Sequence, residues 1–258
     1  MKKIILLLSA TVLLISCSKV GKNEFLITGT ATGVENGKTI ILETQDAAGG
    51  LLAVDTVKVE NGKFEIKGKV TEPAFHMLQL EAATGKVPFI LENGEITVVI
   101  NKDSINKSKV SGTYNNDEFV VFNEELVKIQ KSLVDFQTKN TPMMNTAQQT
   151  NDTVVINKLM KEFGKLQETV GANTKKKYSS YAETHPKSFI SALIIQGMMN
   201  DPAVEIQKVE KLYASLDESL KTTKPGKAIE LKIKETKMAP AGGVAPQAGA
   251  APAPAAAN

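Results

Sequence analysis

The hydrophobic period of this chain changes once, near Asn115, and that change decides what it can fold into. Before Asn115, apolar and polar residues alternate, as in Val57-Lys58-Val59 and Phe64-Glu65-Ile66-Lys67. Alternation puts every second side chain on one face of a strand. After it, Phe119, Phe122, Leu126, Ile129, Leu133 and Phe136 step by three and four, the seam of an amphipathic helix. Strands followed by helices make an α+β architecture. The expectation is an antiparallel β-sandwich or open barrel of seven to eight strands over residues 24–113. A helical region, 114–237, follows, with an α-helical hairpin and shorter helices.

A phrase repeats three times in the strand half: Val34-Glu35-Asn36-Gly37-Lys38, Val59-Glu60-Asn61-Gly62-Lys63 and Leu91-Glu92-Asn93-Gly94-Glu95. Asn-Gly tolerates positive φ at both centres of a type I′ turn, so the phrase predicts strands that fold straight back. With Gly49-Gly50 as a further turn, the strands are expected at about 24–32, 38–45, 51–59, 63–70, 75–82, 86–91, 95–101 and 108–112.

Asn115 or Asn116 is expected to cap the first helix, with Asp117 and Glu118 at its positive end. A second helix is expected over about 152–183, where Ile156, Leu159, Phe163, Leu166 and Val170 repeat the stepping. Residues 140–150 would be the loop of an antiparallel hairpin. Pro186 suits the first turn of a third helix ending at Met199. A fourth is expected over about 202–221, and Pro225-Gly226 would separate a last one, 226–237. Residues 238–258 turn to Ala, Pro, Gly and Gln, a composition that predicts a disordered tail.

Composition narrows the function. All 31 basic residues are lysine, set against 28 acidic ones. Without arginine or a basic stripe, a nucleic-acid surface is not expected. Trp is absent and aromatics make up 5%, which argues against an aromatic-lined ligand platform. Cys17 is the single cysteine, so no internal disulfide can form.

The first residues resemble a secretory signal. Lys2 and Lys3 precede an apolar run, Ile4 to Ile15, of about 12 residues, where a membrane span needs roughly 20. Leu14-Ile15-Ser16-Cys17 resembles the lipobox of bacterial lipoproteins. That resemblance implies a signal peptide over 1–16, fatty acyl chains on Cys17 and a tether over 17–23. It also implies attachment to the cell envelope, at the outer membrane facing the periplasm.

Asp55-Thr56-Val57, Gly62-Lys63-Phe64-Glu65-Ile66-Lys67-Gly68 and Pro73 resemble the N-terminal β-domain of Bacteroidetes envelope lipoproteins, the domain catalogued as DUF4369. Phe89-Ile90-Leu91-Glu92-Asn93-Gly94 and Val110-Ser111-Gly112-Thr113 fit the same pattern, as do the helix openings at Pro186-Lys187-Ser188 and Gly226-Lys227-Ala228. In that family the unit commonly precedes a thioredoxin-like thiol-disulfide oxidoreductase domain of the TlpA and AhpC type. Here the Ala/Pro tail stands where that domain would begin. With its one thiol assigned to lipid, the chain has no attacking group for thiol exchange.

Other candidates are sparse. His76 and His185 are the only histidines and read as a strand-surface and a loop residue rather than metal ligands. Asp55 reads as a strand or turn carboxylate. Ser104-Ile105-Asn106-Lys107 matches Ser-x-x-Lys but lacks its companion motifs. Gly37-Lys38-Thr39 lacks the first glycine of a phosphate loop. Lys175-Lys176-Lys177 reads as a solvated helix face before an anionic contact. Met198 and Met199 suit packing, whereas Met143 and Met144, at the hairpin loop, suit a partner contact.

The expected function is a lipid-anchored envelope binding protein without catalytic activity of its own. Its expected contacts are the membrane, through Cys17, and an envelope protein; no cofactor or metal is expected. The alternatives are an accessory of envelope thiol-disulfide systems and an enzyme with an unrecognised non-thiol site.

Overall fold

The computed structural model describes residues 20–46 and 49–238. The signal-like start, Cys17 and the residues after Met238 lie outside the described residues. Eight strands come first: β1 Glu24–Thr30, β2 Thr39–Gln45, β3 Leu51–Lys58, β4 Lys63–Lys69, β5 Ala74–Leu80, β6 Val87–Leu91, β7 Gly94–Val99 and β8 Lys109–Ser111. They form two open four-stranded sheets, ordered β4-β1-β7-β8 and β3-β2-β5-β6. Between the sheets, Ile27, Ile40, Leu42, Ile66, Phe89 and Ile96 are buried in one core, each contributing about 2–3 kcal/mol of burial.

The repeated Asn-Gly phrase does not make ordinary hairpins. Each copy sits where the chain leaves one sheet for the other: β1 to β2, β3 to β4, and β6 to β7. Only the middle copy is a tight turn with positive φ at both centres, Asn61 at 51° and Gly62 at 70°. Glu60 and Lys63 exchange both main-chain hydrogen bonds across it, at 2.9 and 3.0 Å. The three corners are tied down by their asparagines. Asn36 Oδ1 accepts the Asn61 N–H at 2.7 Å. Asn93 donates its amide to the carbonyls of Gly21 and Glu24, at 2.8 and 2.6 Å. That last contact starts β7 beside the start of β1, so these two strands run parallel; the other five strand pairs are antiparallel, as expected.

Two reciprocal Phe–Gly pairs lock β1 to β4. Gly29 lies opposite Phe64, and Phe25 opposite Gly68. A Cβ at Gly29 would come 2.0 Å from the Phe64 ring, so only glycine lets that ring lie across the strand.

Six helices follow: α1 Tyr114–Gln149, α2 Thr153–Thr184, α3 Phe189–Met198, α4 Ile206–Ser215, α5 Glu218–Lys221 and α6 Lys224–Met238. Five expectations change. Pro186 lies ahead of α3, which Ser188 caps, rather than in its first turn. Thr113 is the N-cap of α1, not Asn115 or Asn116. The expected loop at 140–150 is helical through Gln149, with Pro142 inside. Side-chain donors serve carbonyls in the turn before the proline: Asn140 to Phe136, and Thr141 to Gln137. The expected fourth helix divides at Leu216, where Asp217 caps α5 by accepting the Ser219 N–H. Pro225 and Gly226 lie buried in the first turn of α6 rather than ahead of it. A Cβ at Gly226 would sit 2.2 Å from the Leu220 carbonyl oxygen.

The short helices wrap α3, which is buried on several sides through Phe189, Ile190, Ala192, Ile194 and Ile195. This second core also takes in Ile90 and Phe75 from the β-domain. It draws no described residue from between Leu126 and Tyr178, so the far parts of α1 and α2 stand out as a two-helix arm. Their seam there is buried at Ala147, Leu159 and Val170 and half-buried between, with the rings of Phe136 and Phe163 centred 5.7 Å apart.

Candidate functional site

The arm is rooted on the β-domain by buried polar groups. Asn116 is fully buried in the first turn of α1. Its Oδ1 accepts the Ile90 N–H at 2.9 Å, and its Nδ2 donates to the Ile90 carbonyl at 2.7 Å. One amide thus satisfies both main-chain groups on the open edge of β6, as a neighbouring strand would. Asn115 donates its main-chain and side-chain N–H groups to the Glu92 carboxylate, at 2.9 and 2.5 Å, and accepts the Phe189 N–H at 2.7 Å. Glu92 therefore sits at the positive end of a 36-residue helix. Glu72 does the same for α6, accepting the Lys224 N–H at 2.8 Å.

A second polar cluster joins α1, α2 and α3. The Tyr181 hydroxyl lies 2.7 Å from Glu118 Oε2 and 3.1 Å from Ser188 Oγ. Its single proton goes to the carboxylate, so Ser188 donates to the tyrosine oxygen. Ser188 Oγ also accepts the Ile190 N–H and caps α3. Burial pushes the Tyr181 hydroxyl well above the ordinary phenol range, and Glu118 adds to the shift. His185 stacks on Tyr181, ring centres 4.1 Å apart, with Nε2 3.6 Å from Glu118. A serine, a histidine and a carboxylate thus share one region, but without the geometry of a nucleophile. Ser188 is fully buried, its hydrogen bonds stay within the joint, and His185 Nδ1 meets Thr184 and the Tyr181 carbonyl.

The sequence candidates scatter. His76 is not a strand-surface residue: it faces the sandwich core beside Phe89, is 8% exposed, and hydrogen-bonds the Ala74 carbonyl through Nδ1 at 3.1 Å. Burial lowers its pKa. Asp55 is exposed on edge strand β3 and accepts the Thr56 N–H. Ser104 bonds Asn101 and Asn106 within a polar turn. Lys38 pairs with Glu81 at 3.3 Å. In the lysine run, Lys175 pairs with Asp201 at 2.8 Å and Lys177 with Glu125, whose carboxyl pKa is lowered chiefly by that hydrogen bond.

Met143 and Met144 are on the last turns of α1 rather than in a loop. Met143 is 53% exposed and Met144 half-buried. The turn of the hairpin is only residues 150–152, where Asp152 accepts the N–H groups of Val154 and Val155 to start α2. Sequence reasoning missed what Glu92, Asn116, Glu118, Tyr181 and Ser188 do together. Asn116 and Glu118 read only as helix-start residues, Ser188 only as part of a helix opening, and Glu92 only as part of the repeated phrase.

Two open depressions, of about 410 and 550 Å³, adjoin on the β1–β4 side of the β-domain. Threonines and glycines line them, with Lys58 and Lys63 near Glu60 and Glu65. Both lie open to solvent and lack the enclosure of a small-molecule pocket. Among the described residues, no three His, Cys, Asp or Glu side chains converge as a metal site, and no helix is long and apolar enough to cross a membrane.

No curated protein and no solved structure matches the chain. The family described as Domain of unknown function (DUF4369) matches residues 25–119, which span the two sheets and the rooted first turn of α1.

Proposed function

We propose that the chain is a lipid-anchored envelope protein that binds a protein partner through its helical arm and catalyses no reaction of its own. The arm is the observation that carries the reading. It is a long helix pair with exposed apolar side chains beside its seam and methionines at its end, held by a buried root. Methionine's unbranched, polarisable side chain adapts to varied apolar surfaces. The lipobox-like Leu14-Ile15-Ser16-Cys17 supports the anchor, because several acyl chains hold a protein at a membrane where one binds marginally. Outer-membrane attachment facing the periplasm is the location this reading implies.

The test has two arms. Cys17→Ala in the full chain should release the protein from membranes; retention after alkaline washing overturns the anchor. A photo-crosslinking residue at Met144 should capture one defined envelope protein in native membranes. Capture that is equally efficient from Lys165, off the methionine side, overturns the arm as the binding element.

A further inference from the structure

The two sides of the arm differ in chemistry. The seam residues of α1 and α2 repeat every seven, so each other residue has a fixed place beside the seam. On one side lie Glu125, Lys139, Glu162 and Lys176, with Lys128 and Lys158 farther out; the Glu125–Lys177 ion pair joins the helices there. On the other side the flanking positions are Gln130, Gln137 and Met144 of α1, and Met160, Gln167 and Thr174 of α2. The next row out is Val127, Val134 and Thr141 of α1, and Asn157, Gly164 and Gly171 of α2. This face carries no charged residue along the whole arm. Its apolar side chains are in solvent: Val127 is 66% exposed, Val134 58% and Met160 63%.

Its relief is stepped. Val127 and Val134 are knobs one heptad apart on α1. Gly164 and Gly171 are hollows one heptad apart on α2, and a Cβ at either would meet nothing within 4 Å. Phe136 with Phe163, and Phe122 with Tyr178, mark the levels at which the two helices face each other. By that register Val134 is level with Gly164, and Val127 with Gly171, to within about 3 Å of rise. A two-fold axis along the arm lays α1 of one copy over α2 of the next. Each valine then meets a glycine hollow of the partner, on both halves of the interface at once.

We propose that this uncharged face pairs with the same face of a second copy, forming an antiparallel four-helix bundle with both arm tips at one end. A two-fold interface sets a face against itself, so a face without charge escapes like-charge contact. The glutamines and threonines can hydrogen-bond across it. From Leu126 to Gln149 the arm is about 36 Å long, and two helices about 10 Å apart make it roughly 20 Å wide. That is on the order of 700 Å² per copy, near the roughly 800 Å² per partner of a stable interface. The axis also keeps the two N-termini on one side, as anchoring in one membrane requires. The inference deepens the reading of the arm as a binding element by naming a partner; the release of Cys17→Ala tests the anchor separately.

Full chain purified in detergent should sediment as a dimer. Val127→Lys with Val134→Lys should weaken association roughly 100-fold or more by burying like charges, whereas Ser132→Lys with Thr169→Lys, on the opposite side, should leave it unchanged. Gly164→Leu fills a hollow with a better helix former, so it should dissociate the dimer without loss of helicity by circular dichroism. In native membranes, Val134→Cys with Gly164→Cys should give a covalent dimer on mild oxidation, and Val134→Cys with Thr169→Cys should not. A monomer at tens of micromolar, or crosslinking from Val134→Cys to a different protein instead of a second copy, overturns the proposal.

Discussion

Asn116→Ala removes the amide that closes the open edge of β6. The Ile90 N–H and C=O, held at 2.9 and 2.7 Å, lose their partners, and the Thr113 hydroxyl loses a third bond at 2.8 Å. Ile90 and Asn116 are both fully buried, so water reaches these groups poorly. Each unsatisfied buried group costs about 1–3 kcal/mol. Water admitted to the small cavity offsets part of this, leaving a net loss of about 2–4 kcal/mol. Urea unfolding followed by far-ultraviolet circular dichroism measures it. Asn116→Asp separates the hydrogen-bonding argument from packing. It keeps the shape and the acceptor for the Ile90 N–H, but sets a carboxylate against the Ile90 carbonyl. That variant should be at least as unstable at pH 7 and should regain stability on acidification, when the protonated carboxyl can donate again. A loss below about 0.5 kcal/mol for Asn116→Ala, or an Asn116→Asp variant indifferent to acid, would refute the reasoning.

Two further outcomes follow from buried positions. Burial holds the pKa of His76 below 6.5, so as the pH falls beneath that value the unfolded chain takes up a proton that the folded chain refuses. Stability should therefore drop on acidification, by up to about 1.4 kcal/mol per pH unit until the folded pKa is passed, and His76→Leu should flatten that part of the profile; equal slopes for both proteins between pH 7 and 5 would contradict it. Gly226→Ala should lower Tm although alanine is the better helix former, because the new Cβ would meet main-chain atoms of Leu220 and Lys221, a cost of roughly 1–3 kcal/mol. Gly197→Ala, which meets nothing within 4 Å, is the control and should be neutral or stabilising.

All eight strands were legible as segments, because alternation such as Phe64-Glu65-Ile66-Lys67 reports one buried face regardless of which sheet receives it. For the same reason the assignment of each strand to one sheet or the other was not legible. Asn-Gly favours positive φ at a hairpin and at a corner alike, and only long-range bonds such as Asn36 to Asn61 separate the two. The helix seams were legible from spacing, but residues 140–150 read as a loop where α1 continues through Pro142 to Gln149. Asn115 and Asn116 read as caps because polar residues at a helix start usually face water. Here their amides complete β6 and meet Glu92, and nothing local signals an edge strand 25 residues earlier. Met143 and Met144 stood out in the sequence as a pair, but their place on a helix was not legible, since the loop expected there hid the continuity of α1.

The rooting of α1 has a mechanical consequence. From Asn116 to Gln149 the helix extends about 50 Å, yet it is gripped by the β-domain only within its first turn or two. The arm is a lever with a short, stiff pivot. A rocking of about 5° at Asn116 sweeps the tip through about 4 Å, enough to move the methionines at its end by roughly a side-chain diameter. Strain imposed on the far end returns, magnified, to the Asn116 amide on β6 and to the Tyr181 joint that ties α1 and α2 to α3. Whatever grips the tip therefore pulls on β6 through Asn116.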